Sequence, residues 1–182
     1  LCLFAKNVEG YQNICRILSE AEDTKYYNGI ITMDNLKRHS EGIVVSSACI
    51  AGPLAQLIIK DKIPTAEKLA KAFKSIFGEN FYIEIQPYEI SDPGLQETVN
   101  EKLMDMAKKL DIKCILTSDS HYGRKEDFST YLKMHEISKH DIEHIRKTYN
   151  SRYMPSEAEI SKRFVKMHPK YKSELKTILA NM

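Results

Sequence analysis

Short apolar segments alternating with longer amphipathic segments constrain the fold of this chain most strongly. Residues 1–5, 42–48, 80–86 and 113–118 are predicted strands, since they are short, apolar or alternating, and bounded by turn residues. Apolar residues recur at helical spacing between these strands, and the chain from residue 125 onward is predicted to be helical. The order β-α-β-α-β-α-β with a helical tail predicts an α/β fold with a mostly parallel sheet. Either a barrel or a doubly wound sheet would satisfy this pattern.

Composition narrows the class of protein. The chain has 182 residues, and no stretch approaches the roughly 20 uninterrupted apolar residues that a membrane helix needs. The four cysteines form no CxxC pair, which favours a reduced, cytoplasmic protein without membrane attachment. Leu1 opens within an apolar run without a preceding Met, so we expect the chain to be cut from a longer protein.

Charge is distributed unevenly along the chain. Residues 1–122 contain 14 basic and 17 acidic residues, whereas residues 123–182 contain 13 basic and 8 acidic residues. The basic C-terminal part is consistent either with a solvated, lysine-rich surface or with a segment near an anionic partner such as nucleic acid.

The motif Ser118-Asp119-Ser120-His121-Tyr122 is the strongest local signal for chemistry. Side chains two residues apart on an extended chain point to the same side, so Asp119 and His121 could share a divalent ion. They follow a predicted strand at its carboxyl end, where parallel α/β folds place their active sites. In the alternative interpretation, Asp119 caps the following turn and His121 packs against it.

Cys49 follows the predicted strand 42–48 and should reach the same rim of the sheet. A thiolate beside an imidazole and a carboxylate forms a ligand set that suits zinc. A small buried apolar residue is the alternative role for Cys49, as for many free cysteines.

Glu84 lies on the same predicted strand face as Tyr82 and Gln86. A carboxylate in a central strand must be hydrogen-bonded, paired or metal-bound if it is buried. We expect Glu84 to be a hydrogen-bonded group lining a polar interior near the site, with a metal or catalytic role as the alternative.

Four segments of the chain carry a resemblance to a known family: LFAKNVEGYQNI at 3–14, SEGIVVSSAC at 40–49, FGENFYIEIQ at 77–86 and TSDSHY at 117–122. In this order they resemble the PHP (polymerase and histidinol phosphatase) domain of bacterial DNA polymerase III alpha subunits. RYMPSE at 152–157 is similar to the segment that leads from this domain toward the polymerase palm. The loop after the third strand departs from the family's QDHG, because residues 86–89 read QPYE.

The resemblance implies part of a distorted seven-stranded barrel, with about four parallel strands visible. Residues 1–124 would be the C-terminal portion of that barrel, and residues 125–182 a helical exit segment. Cys49, Asp119 and His121 match metal ligands of the family, with zinc or manganese as the expected metal. The family's other ligands, including an opening HxH motif, have no counterpart in the chain.

The resemblance also implies two possible roles. The domain would be either a metal-dependent 3′–5′ exonuclease or a scaffold within a DNA-directed DNA polymerase that uses Mg²⁺, from a bacterium or a phage. DNA, a proofreading subunit and a sliding clamp would then be the partners. A standalone PHP metallophosphoesterase of the histidinol-phosphatase type is the alternative.

Overall fold

A computed structural model describes residues 1–23, 29–88, 92 and 94–181, so Glu89 of the divergent QPYE loop lies outside the described residues. Within these residues, four strands form one mixed sheet in the order β1-β2-β3-β4. The strands are β1 (Cys2–Ala5), β2 (Ile43–Ser46), β3 (Phe81–Ile85) and β4 (Lys113–Leu116). The predicted α/β class is confirmed, and each strand falls within a predicted segment. The sheet does not close over the described residues, and a barrel is not confirmed.

The prediction that the visible strands are all parallel is wrong for β1. This strand runs antiparallel to β2, with Ala5 opposite Ile43, whereas β2 and β3 are parallel. The start of β2 therefore lies beside the end of β1, and the chain enters β2 at the edge where it left β1.

The helices follow the predicted order. Their bounds are α1 (Val8–Asp23), α2 (Met33–Arg38), α3 (Pro53–Ile59), α4 (Ile63–Phe77), α5 (Leu95–Leu110), α6 (Phe128–Ile137), α7 (Ile142–Tyr149), α8 (Glu157–Met167) and α9 (Leu175–Leu179). Short 3₁₀ turns cover Gly78–Asn80, Lys125–Asp127 and Pro169–Glu174. Helix α4 begins at Ile63 with Pro64 in its first turn, where proline needs no N–H partner.

The chain divides into two compact units. The first unit comprises residues 1–83 and 106–113, and the second comprises residues 84–105 and 114–182. The predicted division into domains at residue 124 is a different partition and stays a prediction.

In the first unit, the core forms where the apolar faces of the helices meet the sheet. Ile43, Val45 and Phe81 are buried on the strands, and Phe73 of α4 packs against Phe81 with ring centroids 5.5 Å apart. The Asn7 side chain accepts a hydrogen bond from the Gly10 backbone N–H at 2.9 Å, as a helix cap does. This cap explains why α1 begins at Val8.

In the second unit, a buried polar pair accompanies the apolar core. Val99, Leu103, Leu116 and Phe164 are among its buried apolar residues. Asn100 and His168 are fully buried, and the Asn100 Nδ2 atom lies 3.1 Å from His168 Nε2.

Over the part of the chain that the structure describes, no helix is both long and apolar enough to cross a membrane.

Candidate functional site

The carboxyl ends of β3 and β4 lie side by side. The backbone N–H of Thr117, directly after β4, donates to the carbonyl of Ile85, the last residue of β3, at 3.1 Å. The residues that follow each strand therefore emerge at the same edge. From β3 these are Gln86 and Tyr88, and from β4 they are Asp119 and His121.

Glu84 forms the base of the site. Its side chain is buried, and its Oε2 atom accepts hydrogen bonds from Thr117 Oγ1 at 2.6 Å and from Gln86 Nε2 at 3.0 Å. Gln86 Nε2 also lies 3.0 Å from Thr117 Oγ1. A buried carboxylate with such partners offsets much of its desolvation cost. The contacts agree with the expectation of a hydrogen-bonded group lining a polar site.

Tyr88 connects this base to Asp119. The Tyr88 hydroxyl lies 2.8 Å from Gln86 Oε1 and 3.4 Å from Asp119 Oδ2. Asp119 itself adopts a left-handed backbone conformation with φ of +46°, which Asp tolerates better than most residues. This conformation turns the chain immediately after β4.

Arg152 supplies a positive charge to the same carboxylate. Its Nη1 atom donates to Asp119 Oδ2, and the side chain is only 3% exposed. The guanidinium carbon lies 3.3 Å from the centroid of the Tyr88 ring and 5.5 Å from that of Tyr149. Arginine stacks well on aromatic faces, so the charge is held between two rings and a carboxylate.

Backbone hydrogen bonds hold Arg152 in this position. The backbone N–H of His121 donates to the Arg152 carbonyl at 2.7 Å, and the N–H of Met154 donates to the Gly123 carbonyl at 3.0 Å. Tyr122 and Tyr153 form an isolated parallel bridge between these hydrogen bonds. The segment around residues 152–154 is therefore paired with the segment that follows β4.

His121 lies beside the Asp119–Arg152 pair. Its Nε2 atom is 3.7 Å from Asp119 Oδ2, which is too long for a hydrogen bond. The imidazole packs edge-on against Tyr149, with ring centroids 4.6 Å apart. Asp119 and His121 are thus brought together as predicted, with the imidazole held mainly by an aromatic contact.

A family model for the PHP domain matches residues 1–88. These residues are therefore similar to the PHP domain family. Among curated proteins, the chain is similar to the DNA polymerase III subunit alpha of Borreliella burgdorferi, with 37% identity over 128 residues, which is 70% of this chain. The Thermus aquaticus protein of the same name is 35% identical over 138 residues, or 75% of this chain. That of Aquifex aeolicus is 34% identical over 128 residues, or 70% of this chain. The match covers about 11% of the length of each relative.

Cys49 of the PHP-matching region lies in the first unit, and Asp119 and His121 lie in the second. The Cys49 side chain is a partly buried free thiol. Its backbone carbonyl accepts a hydrogen bond from the Gly52 N–H at 2.7 Å. It follows Ala48, which has a φ of +64° and marks a turn just after β2. The assignment of Cys49, Asp119 and His121 as metal ligands stays a prediction.

Asp119 and His121, at the rim formed by the carboxyl ends of β3 and β4, do not by themselves form a site for the metal ion that the PHP resemblance implies. Structural zinc is almost always bound by four ligands, whereas the rim offers one carboxylate and one imidazole. The carboxylate oxygen nearest the imidazole already receives the charged guanidinium of Arg152. Across the described ranges, no group of three or more His, Cys, Asp and Glu side chains could hold a metal ion.

A cavity of about 750 Å³ adjoins the site in the second unit and shares Tyr88 with it. Its described lining includes three basic and three acidic side chains: Lys125, Arg163, Lys166, Asp92, Glu97 and Glu159. Arg163 and Glu159 form an ion pair at 2.9 Å, and the Tyr153 hydroxyl donates to the same Glu159 oxygen. This balanced lining gives the cavity no clear preference for an anionic ligand.

Sequence reasoning missed Tyr88 and Arg152 as site residues. Tyr88 continues the alternation of Glu84 and Gln86 at a spacing of two residues, and that pattern could have identified it. Arg152 is 33 residues from Asp119, and no local spacing connects the two. Its contact arises because the chain returns to the rim after α7.

Proposed function

We propose that this chain is part of the PHP domain of a replicative DNA polymerase III alpha subunit and that its rim serves as a scaffold. DNA synthesis would belong to the larger protein, using Mg²⁺ in the cytoplasm, with DNA, a proofreading subunit and a sliding clamp as partners. The polymerase names of the similar proteins support the assignment. They do not favour the alternative of a standalone metallophosphoesterase.

The Asp119–Arg152 pair carries the scaffold role. Asp119 matches a metal ligand in the resemblance to the PHP family. Here its carboxylate binds the buried guanidinium of Arg152, which belongs to the segment that follows α7. The pair joins the carboxyl edge of β4 to the start of the segment that leads into α8. A rim used this way would set the direction in which residues 153–181 leave the sheet.

The PHP match also supports a fold proposal. The described sheet would be one portion of a distorted, seven-stranded PHP-type barrel, to which other strands of the intact protein contribute. An experimental structure of the intact protein tests this directly. An open sheet that packs against unrelated elements would contradict the proposal.

The experiment that tests the function uses the intact protein and two assays. Primer extension measures DNA synthesis, and digestion of a 3′-labelled single strand with Zn²⁺ or Mn²⁺ measures 3′–5′ exonuclease activity. The scaffold role predicts DNA synthesis without metal-dependent digestion attributable to the rim. Digestion that Asp119→Asn abolishes, while its unfolding midpoint stays unchanged, would overturn it. Absence of primer extension would overturn the polymerase assignment.

A metal-dependent exonuclease is the second candidate, and one observation favours it. Asp119 and His121, two side chains of metal-binding type, share the rim with an Nε2–Oδ2 separation of 3.7 Å. In this alternative, Cys49, Asp119 and His121 bind zinc or manganese together with ligands supplied by the rest of the protein. Metal analysis of the intact protein and of Cys49→Ala distinguishes the two candidates, because only this alternative predicts loss of bound metal.

A further inference from the structure

We infer that the guanidinium of Arg152 takes the cation position of the Asp119–His121 rim and excludes divalent metal from it. The inference deepens the scaffold role proposed above and rests on it. The rim would then be stabilised by a permanent internal charge, and its folding would be independent of metal supply.

A single oxygen atom of Asp119 faces both Arg152 and His121. Asp119 Oδ2 is the atom that receives the Arg152 Nη1–H, and it is also the carboxylate atom that lies 3.7 Å from His121 Nε2. An ion bridging Asp119 and His121 by this route would have to bind the oxygen that Arg152 occupies. A guanidinium and a divalent ion at one carboxylate oxygen repel each other, so either cation disfavours the other.

Arg152 is buried, and its guanidinium carbon lies 3.3 Å from the centroid of the Tyr88 ring. The Tyr88 hydroxyl approaches the same Asp119 oxygen at 3.4 Å, so ring and carboxylate form one receptor for the guanidinium. The backbone hydrogen bond from His121 to the Arg152 carbonyl fixes the start of the side chain.

An arginine side chain stays protonated throughout the physiological pH range, whereas a bound metal depends on its concentration and on ligand deprotonation. Replacing a metal by arginine therefore keeps the charge while removing the Lewis acid and the metal-bound water that hydrolysis would need. This substitution is consistent with a rim that supports the fold and does not cleave DNA.

The test compares metal response and stability in the intact protein. Wild type is expected to have the same unfolding midpoint in EDTA, Zn²⁺ and Mn²⁺, and to be purified without stoichiometric metal bound to the rim. Arg152→Met should lower the midpoint by about 10 °C, because it leaves Asp119 without its buried partner. In this variant, Zn²⁺ affinity should rise about tenfold or more, and Asp119→Asn on the Arg152→Met background should remove the gain.

Two variants keep the inference testable if Arg152→Met fails to fold. Arg152→Lys retains the positive charge and should stay insensitive to zinc. Arg163→Met removes another guanidinium that lies over a tyrosine, 4.8 Å from the Tyr153 centroid, and should leave zinc affinity at the wild-type value. Stoichiometric metal in wild type that Asp119→Asn removes would overturn the inference, as would increased zinc affinity in Arg152→Lys. Primer extension is measured in parallel, so that failure of the polymerase assignment is recognised separately.

Discussion

Gly10 and Gly42 pack backbone to backbone, and neither position has room for a side chain. A Cβ atom built on Gly10 would lie 1.9 Å from the carbonyl oxygen of Gly42, and Gly42 has a φ of +71°. The Gly42 carbonyl also accepts a hydrogen bond from the Lys6 N–H at 2.8 Å, which joins the end of β1 to the turn before β2. This contact gives a physical reason for the glycines in the LFAKNVEGYQNI and SEGIVVSSAC segments.

Substitution of Gly10 by alanine should destabilise the first unit strongly. The added methyl group would force α1 away from the turn at Gly42, and we expect a loss of about 3 kcal/mol in the free energy of unfolding. Chemical denaturation measures the change. Gly123→Ala is the control, since its Cβ would meet only Asp127 Oδ2 at an ordinary 3.5 Å. Equal stability of the two variants would contradict the packing argument.

Acid should destabilise the second unit through His168. Burial lowers the pKa of His168 from 6.5 to about 4, and Asn100 Nδ2 contacts its Nε2 in the neutral form. The unfolded state therefore binds the proton more readily, so stability falls as the pH drops from about 6.5 to about 4. The loss at pH 4 should be about 3 kcal/mol relative to pH 7.

Urea denaturation between pH 4 and pH 7 measures this dependence. His168→Gln cannot titrate and should flatten the curve in that window, even though its stability at pH 7 is lower. His144→Gln, on α7, replaces an exposed histidine and is measured as the matched control variant. A His168→Gln curve as steep as that of wild type would rule out His168 as the source.

Tyr88 should contribute to stability in two separable ways. Tyr88→Phe removes the hydroxyl between Gln86 and Asp119 and keeps the ring against Arg152, so we expect a loss of about 1 kcal/mol. Tyr88→Ala also removes the buried ring, and the loss should rise to about 4 kcal/mol. Thermal or chemical unfolding distinguishes the two losses. If Tyr88→Phe cost as much as Tyr88→Ala, the stacking of Arg152 on the ring would have no energetic role.

The cysteines should differ in their reactivity toward alkylating reagents. Burial raises the pKa of Cys114 to about 12, whereas Cys15 is exposed on α1. Because the thiolate is the reactive form, iodoacetamide at pH 8 should label Cys15 quickly and Cys114 only after unfolding. Mass spectrometry of peptides reads out each site. Rapid labelling of Cys114 in the native protein would show that this thiol is accessible.

Local features of the sequence predicted most of the elements. All four described strands lie within predicted segments, because apolar spacing reflects which face each element buries. Asp119 and His121 were also correctly placed at the end of a strand, since a spacing of two residues is a local property.

Other properties depended on the tertiary structure. The antiparallel direction of β1 is visible only in its pairing with β2, because strand periodicity is the same in either direction. The cation at the rim is Arg152, which reaches Asp119 only because the chain folds back across 33 residues. By itself, then, the sequence determined the α/β class, the order of the elements and the acidic rim. The tertiary structure decided strand direction and the partner of Asp119, because both depend on contacts between segments that are distant in the chain.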